Sequence, residues 1–385
     1  MAKRTVPWLP RILPVFMLLA LCMPTVGCRS AIASAGLELS MPGYWKNGTW
    51  VGLTPLPTLD TKSSSVISLV ISGSDVYAGG YCDDVSGKYV PGYWKNHTWV
   101  GLTPPQEASA DWEVGTLVVV GGSVYASAIA GYYGTAPDSP VATNGYWKNG
   151  VWVTLPLPTS SDGGVVDSLV VTAGGDVYAG GCSYTLGDMG STTDLPGCWK
   201  NGVWQELTEP SGTYSAEITR LAVAGNDVYA GGWCEVNAGS GSSKQVAGYW
   251  LDGTWTALSP STSTDWWDII SLVVSGGNVY AVGNDEGDDG SSSSGFWMNG
   301  VWTVLEPQSY THSSVATSLA VSSGIVYIGG YIKGYTTTVP GYWGNGGWTG
   351  FSPFSNSENN YQAEVDALAV SGTDVYAGGR GPERF

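Results

Sequence analysis

The side chains of this 385-residue chain whose types and spacing could do chemistry are carboxylates standing beside aromatic rings. They fall in polar stretches: Asp111-Trp112-Glu113, Tyr214 near Glu217, Trp233 near Glu235, Asp265-Trp266-Trp267-Asp268, Tyr310 near His312, and Tyr361 near Glu364. A flat ring covers the apolar face of a pyranose while acids accept hydrogen bonds from its hydroxyls, and the same pairing also forms protein-contact surfaces. The competing reading of any one ring is that it packs on its neighbours. The candidate ligand-binding set is Asp111, Trp112, Glu113, Trp233, Asp265, Trp266, Trp267, Asp268 and Tyr310, with the Asp265–Asp268 run the densest part.

Paired carboxylates also carry glycoside hydrolysis, so Asp111, Glu113, Asp265 and Asp268 define an alternative reading as a carbohydrate-active enzyme. Other chemistries lack their parts. Two histidines, His97 and His312, are too few for a copper site built from His and Tyr. Arg220 is the sole arginine between Arg29 and Arg380, which does not make the arginine cluster that grips a substrate carboxylate. No phosphate loop, nucleophile elbow or zinc spacing occurs. The acidic run Asp285-Glu286-Gly287-Asp288-Asp289 offers oxygens for calcium at Asp285, Asp288 and Asp289. It lacks the order of a calcium-binding helix-loop-helix segment, so a solvated loop is the simpler reading and no cofactor is expected.

The elements that must position these groups are repeats. Gly43-Tyr44-Trp45-Lys46-Asn47-Gly48-Thr49-Trp50-Val51 reads as a β-hairpin, because Asn-Gly supplies the two positive-φ residues of a type I′ turn. That turn sets Lys46 opposite Thr49 and Trp45 opposite Trp50, with Tyr44 and Val51 on the other face. The tryptophan pair returns as Trp94/Trp99, Trp147/Trp152, Trp199/Trp204, Trp250/Trp255, Trp297/Trp302 and Trp343/Trp348. One pair in every repeat argues for structure, since a ligand site needs asymmetry. Between hairpins lies a second seven-fold motif, an apolar run, a tight turn and Val-Tyr, as in Leu69-Val70-Ile71 followed by Val76-Tyr77.

Each repeat therefore carries four strands: A, the apolar run; B, the Val-Tyr strand; C and D, the tryptophan hairpin. A period of roughly 45–50 residues with four short strands is that of a β-propeller. The fold expected is all-β, a seven-bladed propeller of four antiparallel strands per blade with strand A innermost, over residues 42–385. The chain opens with a C–D hairpin and ends with an A–B hairpin, so closure should place Gly43–Leu53 beside Asp366–Gly379 in one shared blade. The B–C and D–A connections then share one face, which holds the aromatic-acidic stretches.

Val-Tyr-Ala-Gly-Gly at 76–80, 177–181, 228–232 and 375–379, followed by an aromatic residue before a turn, resembles the kelch repeat. The Tyr-Trp-Lys-Asn-Gly hairpin is similar to repeats of poorly characterised bacterial exported propellers. The resemblance implies a fold more than a task.

Lys3, Arg4 and Arg11 precede an apolar run over 12–26, interrupted by Pro14 and Pro24, which reads as a signal peptide ending at 27 or at 35. Val26-Gly27-Cys28 resembles a lipoprotein site, favoured here over Ala33-Ser34-Ala35; Cys28 would then carry the lipid and 28–41 would be a tether. Removing that leader, which holds no carboxylate, takes the formal charge from −17 to −20 and argues against nucleic acid and anionic membrane surfaces as partners. Cys182 and Cys198 fall on neighbouring strands of one blade, where a disulfide and two free thiols are both open; Cys82 and Cys234 lie three blades apart and should be separate, semi-buried thiols. The expected molecule is an extracytoplasmic monomer, lipid-anchored or secreted, that presents its loop face to a glycan or protein. A purely structural envelope role is the third reading.

Overall fold

A computed structural model describes residues 40–54, 59–105, 111–131, 144–187, 192–239, 242–258, 267–286, 292–305, 313–333, 338–351 and 363–382. The described residues belong to one compact unit and form seven four-stranded antiparallel sheets. Their innermost strands contact one another in succession and close a ring, so the protein is a seven-bladed β-propeller. We number the blades 1 to 7 from the sheet that starts at Leu59; blade 7 holds both ends of the chain.

Closure follows the expected two-plus-two scheme. Strand Ser40–Lys46 pairs on one side with Thr49–Gly52 and on the other with Asp374–Pro382, which in turn pairs with Glu364–Ser371. The first strand reaches back to Ser40, two residues into the stretch read as tether.

The tryptophan hairpins form as their turns dictate. Trp45 faces Trp50 and Lys46 faces Thr49, with Asn47 at φ 50° and Gly48 at 81°. In all seven hairpins the paired indole centroids lie 4.3–4.9 Å apart. The first turn residue does more than tolerate positive φ. Asn96 Oδ1 accepts from the Val76 N–H at 3.0 Å while its own N–H donates to Val76 O at 2.7 Å. Asn47, Asn149, Asn201, Asp252, Asn299 and Asn345 make the same reciprocal pair with the valine of their own Val-Tyr strand. Each turn is thereby tied to strand B, which explains why Asn or Asp, rather than Gly, occupies that position.

Adjacent blades are joined by seven apolar wedges. Tyr77, from blade 1, packs among Trp112, Val114, Leu117 and Trp147 of blade 2, and Tyr125 and Tyr178 enter the wedges that follow. The Trp94 indole donates to Thr54 O at 3.1 Å, and Trp147, Trp199 and Trp250 reach the corresponding carbonyl of the preceding blade. Around the inner ring, hydroxyls link blade to blade: Thr116 Oγ1 donates to Asp167 O, Thr219 Oγ1 to Ile269 O and Thr317 Oγ1 to Val365 O, at 3.3, 2.5 and 2.6 Å.

The double glycine of strand B has a steric cause. In blades 1, 3, 4, 6 and 7 strand A carries a bulge next to it, and the bulge pushes a carbonyl toward strand B. A Cβ at Gly80, Gly181, Gly232, Gly330 or Gly379 would sit 1.9–2.1 Å from that oxygen. Blade 2 has a wider irregularity between Val114 and Leu117 and accommodates Ala128 there.

Candidate functional site

The bulges that demand glycine on strand B also set an extra residue into strand A. In blade 3 the extra residue of the bulge in Gly163–Val171 is Asp167. In blade 4, Thr213–Ala224 contributes Glu217 and Arg220 on either side of the bulged Thr219. Asp268 lies just ahead of the inner strand Ser271–Ser275 of blade 5. Three consecutive blades thus bring three acids and one arginine together along and just ahead of their inner strands.

The environment shifts Asp167, Asp268 and Arg220. Asp167 is pushed up to about 7, first by burial; Arg220 and a hydrogen bond with the Glu217 carboxyl oppose the rise, while Asp268 and Asp194 add to it. Asp268 is pushed up to about 6 by burial, against Arg220, the Ile269 N–H and Thr219. Burial pulls Arg220 downward while Asp268, Asp167 and Glu217 hold it up, and it remains a cation.

The cluster is incompletely self-satisfied. Arg220 Nη1 donates to Thr219 O at 2.6 Å, and its interaction with the acids is one of charge without ion-pair contact. Asp167 Oδ2 and Asp268 Oδ1 are closed off from bulk water and accept no hydrogen bond. Trp233 stands directly opposite Glu217 in the strand register, is 6% exposed, and its indole N–H has no acceptor. Nearby, Asp194 is raised by burial and accepts from Ser215 Oγ at 3.3 Å. Cys182 faces Glu217, Asp194 and Asp167, and burial and these acids push its thiol well up.

Of the candidates read from the sequence, the cluster contains Asp268 and, along its wall, Trp233. The others are placed elsewhere. Trp112 is fully buried among Val114, Leu117 and Trp147, and Trp267 is 3% exposed with its ring 5.1 Å from Trp302. Trp112, Trp233 and Trp267 are therefore wedge residues and wall, not open stacking platforms. Asp111 is buried and accepts from the Tyr89 N–H at 3.0 Å, tying blade 2 to blade 1. Glu113 is half-buried opposite Ile129. Asp265, Trp266, Tyr310 and Cys28 lie outside the described residues, as do Asp288 and Asp289; the backbone of Asp285 pairs with Ser293. Among the described residues no three His, Cys, Asp or Glu side chains gather to hold a metal ion.

The cysteine expectations need correction. Cys182 and Cys198 are free, buried thiols. Cys182 faces Pro196 and Cys198 faces Gly180, so the two are diagonal across the strand pair, farther apart at about 7–8 Å than a disulfide ordinarily spans. Cys82 and Cys234 are wholly buried rather than semi-buried, in different wedges.

Asp167 escaped the sequence reading because it sits in the apolar stretch Val165-Val166-Asp167-Ser168-Leu169, with no aromatic beside it. A charge interrupting a strand expected to be buried was the available signal. Arg220, isolated in a chain poor in arginine, was another.

No protein-family model matches this chain, and no curated protein matches it. The kelch resemblance therefore rests on the repeated Val-Tyr-Ala-Gly-Gly motif and the aromatic residue after it. Solved structures are similar to it at low identity. YCF48 bound to a D1 peptide shares 13% identity with a TM-score of 0.46, covering 90% of this chain and 100% of that one. A Trypanosoma rangeli sialidase in complex with the inhibitor DANA shares 11% at 0.42, covering 82% of this chain and 57% of the sialidase. The Aleuria aurantia lectin in complex with alpha-methyl-L-fucoside shares 10% at 0.42, covering 77% of this chain and 96% of the lectin.

Proposed function

We propose that this protein is an exported binding propeller whose B–C/D–A face receives a glycan or protein ligand, with Asp167, Glu217, Arg220 and Asp268 as the polar floor of the site. The observation that carries the reading is the convergence of these four side chains from three blades, with buried carboxylate oxygens left unpartnered. Orphaned acceptors of this kind are costly in a structural core and useful in a recognition site.

In this reading the leader-like N-terminus directs export, and the propeller works as a monomer, secreted or held by a lipid on Cys28. A net charge of −17 in the full chain disfavours nucleic acid. Calcium at Asp285, Asp288 and Asp289 is not required by this reading. An enzymatic reading draws on the gathering of acids from neighbouring inner strands, with Asp167 pushed up to about 7 by burial. Hydrolysis would need two of these carboxylates at the roughly 5 to 10 Å separation that glycosidases use.

The test is to probe glycan and protein arrays with the purified chain, with Asp268→Asn and with Lys95→Ala on the opposite face. Binding lost in Asp268→Asn and kept in Lys95→Ala is the expected result. The reverse pattern would overturn the site, and release of reducing sugar from a bound glycan would move the conclusion to an enzyme.

A further inference from the structure

The unpartnered atoms around the cluster are of both kinds. Asp167 Oδ2 and Asp268 Oδ1 are acceptors, whereas the Trp233 indole N–H is a donor, and the Arg220 guanidinium has donors beyond the one given to Thr219. A cation would meet the acids but be repelled by Arg220, and an anion would meet the reverse. A hydroxyl both donates and accepts, so adjacent hydroxyls can satisfy the two sets together.

A second observation points to the same ligand class. Among the described residues Tyr214 is the one exposed aromatic side chain, at 56%. It is the extra residue where the strand register steps from Thr213 to Ser215. Three residues upstream of Glu217 on the same strand, it lies within about 10 Å of that position along the backbone. An exposed ring on the strand that carries Glu217 and Arg220, together with acids, one guanidinium and one indole N–H, has the two halves of sugar recognition: a surface for the apolar face of a pyranose and partners for its hydroxyls.

We infer that the ligand of this site is a carbohydrate, held through adjacent hydroxyls by Asp167, Asp268, Arg220 and the Trp233 N–H, with Tyr214 as the stacking ring at the rim. This rests on the binding function proposed above and narrows its ligand. A protein ligand is the competing outcome.

The experiment is saturation-transfer NMR followed by titration of the full chain with methyl α-glucoside, methyl α-mannoside and methyl β-galactoside, their deoxy counterparts lacking one ring hydroxyl, and N-acetyl-lysine methylamide as a cationic probe. At least one pyranoside should bind, its deoxy counterpart more weakly. Trp233→Phe, which keeps the ring and removes the N–H, and Tyr214→Ala should each weaken it by roughly tenfold, the size of one lost hydrogen bond or stacking contact. Thermal unfolding of the variants checks the fold, and Asp167→Asn replaces Trp233→Phe if that variant unfolds early. Pyranoside binding indifferent to these substitutions would overturn the inference. So would absence of pyranoside binding together with an Asp268-dependent protein or lysine-probe signal, which would leave the binding function standing. Silence from every probe and both arrays would overturn both.

Discussion

Asn47 and Val375, 328 residues apart, exchange two hydrogen bonds of 2.9 Å, one in each direction. The same exchange occurs inside each of the other six blades between residues 19 to 25 apart. In blade 7 it is the chain's two ends that it holds together, so a local turn device becomes a ring closure. Asn47 also donates through Nδ2 to Asp374 at 2.8 Å, and Lys46 pairs with Asp374 at 3.0 Å on an exposed surface.

Deleting 42–53 should therefore abolish cooperative unfolding of the ring, because it exposes the edge of the last B strand and removes the buried Trp45 and Trp50. Asn47→Ala, losing one side-chain acceptor and straining a φ of 50°, should cost about 2 kcal/mol in denaturant unfolding. Unchanged stability in the deletion would contradict the closure.

Gly330→Ala should destabilise by at least about 1–3 kcal/mol, since its Cβ would lie 2.0 Å from Val315 O and the bulge would have to move. Ala128→Gly, at the equivalent place in blade 2, should change stability only slightly. Urea titrations of the two variants compare them directly, and equal effects would refute the role given to the bulge carbonyl.

The ring was legible in the sequence and the site only partly so, for physical reasons. Trp45 and Trp50 recur at a fixed spacing around an Asn-Gly turn, and a turn of two residues fixes register without reference to the rest of the fold. Asp167, Glu217 and Asp268 are separated by about fifty residues each and meet only because blades are set side by side, which no local pattern encodes. Trp112 and Trp267 looked like ligand residues because acids adjoin them in sequence. In the strands, successive side chains point to opposite faces, so the ring enters a wedge while its neighbour points elsewhere.

Stability should respond to pH through the buried acids Asp167, Asp194 and Asp268. A carboxyl whose folded pKa is raised stabilises the fold below its unfolded value near 4 and loses that contribution as pH rises through the folded one. Asp268 at about 6, Asp167 at about 7 and Asp194, also raised, place this loss between roughly pH 4 and pH 7. Asp75, Asp84 and Asp374, lowered first by side-chain hydrogen bonds from Asn96, Ser86 and Asn47, act at lower pH and with the opposite sign. The melting temperature should fall by several degrees from pH 5 to pH 8, and Asp167→Asn should flatten that slope. A slope unaltered by Asp167→Asn would assign it to general charge repulsion instead.

The convergence of Asp167, Glu217, Arg220 and Asp268 in a desolvated site spanning blades 3 to 5 is what the binding function rests on. Its most direct test is a carbon-13 NMR titration of the aspartate carboxyl groups, with Asp167 assigned by its absence in Asp167→Asn. A midpoint of about 7 is expected for Asp167, falling in Asp268→Asn as a neighbouring acid's charge is removed. An Asp167 midpoint near 4, the value of a solvated aspartate, would contradict it.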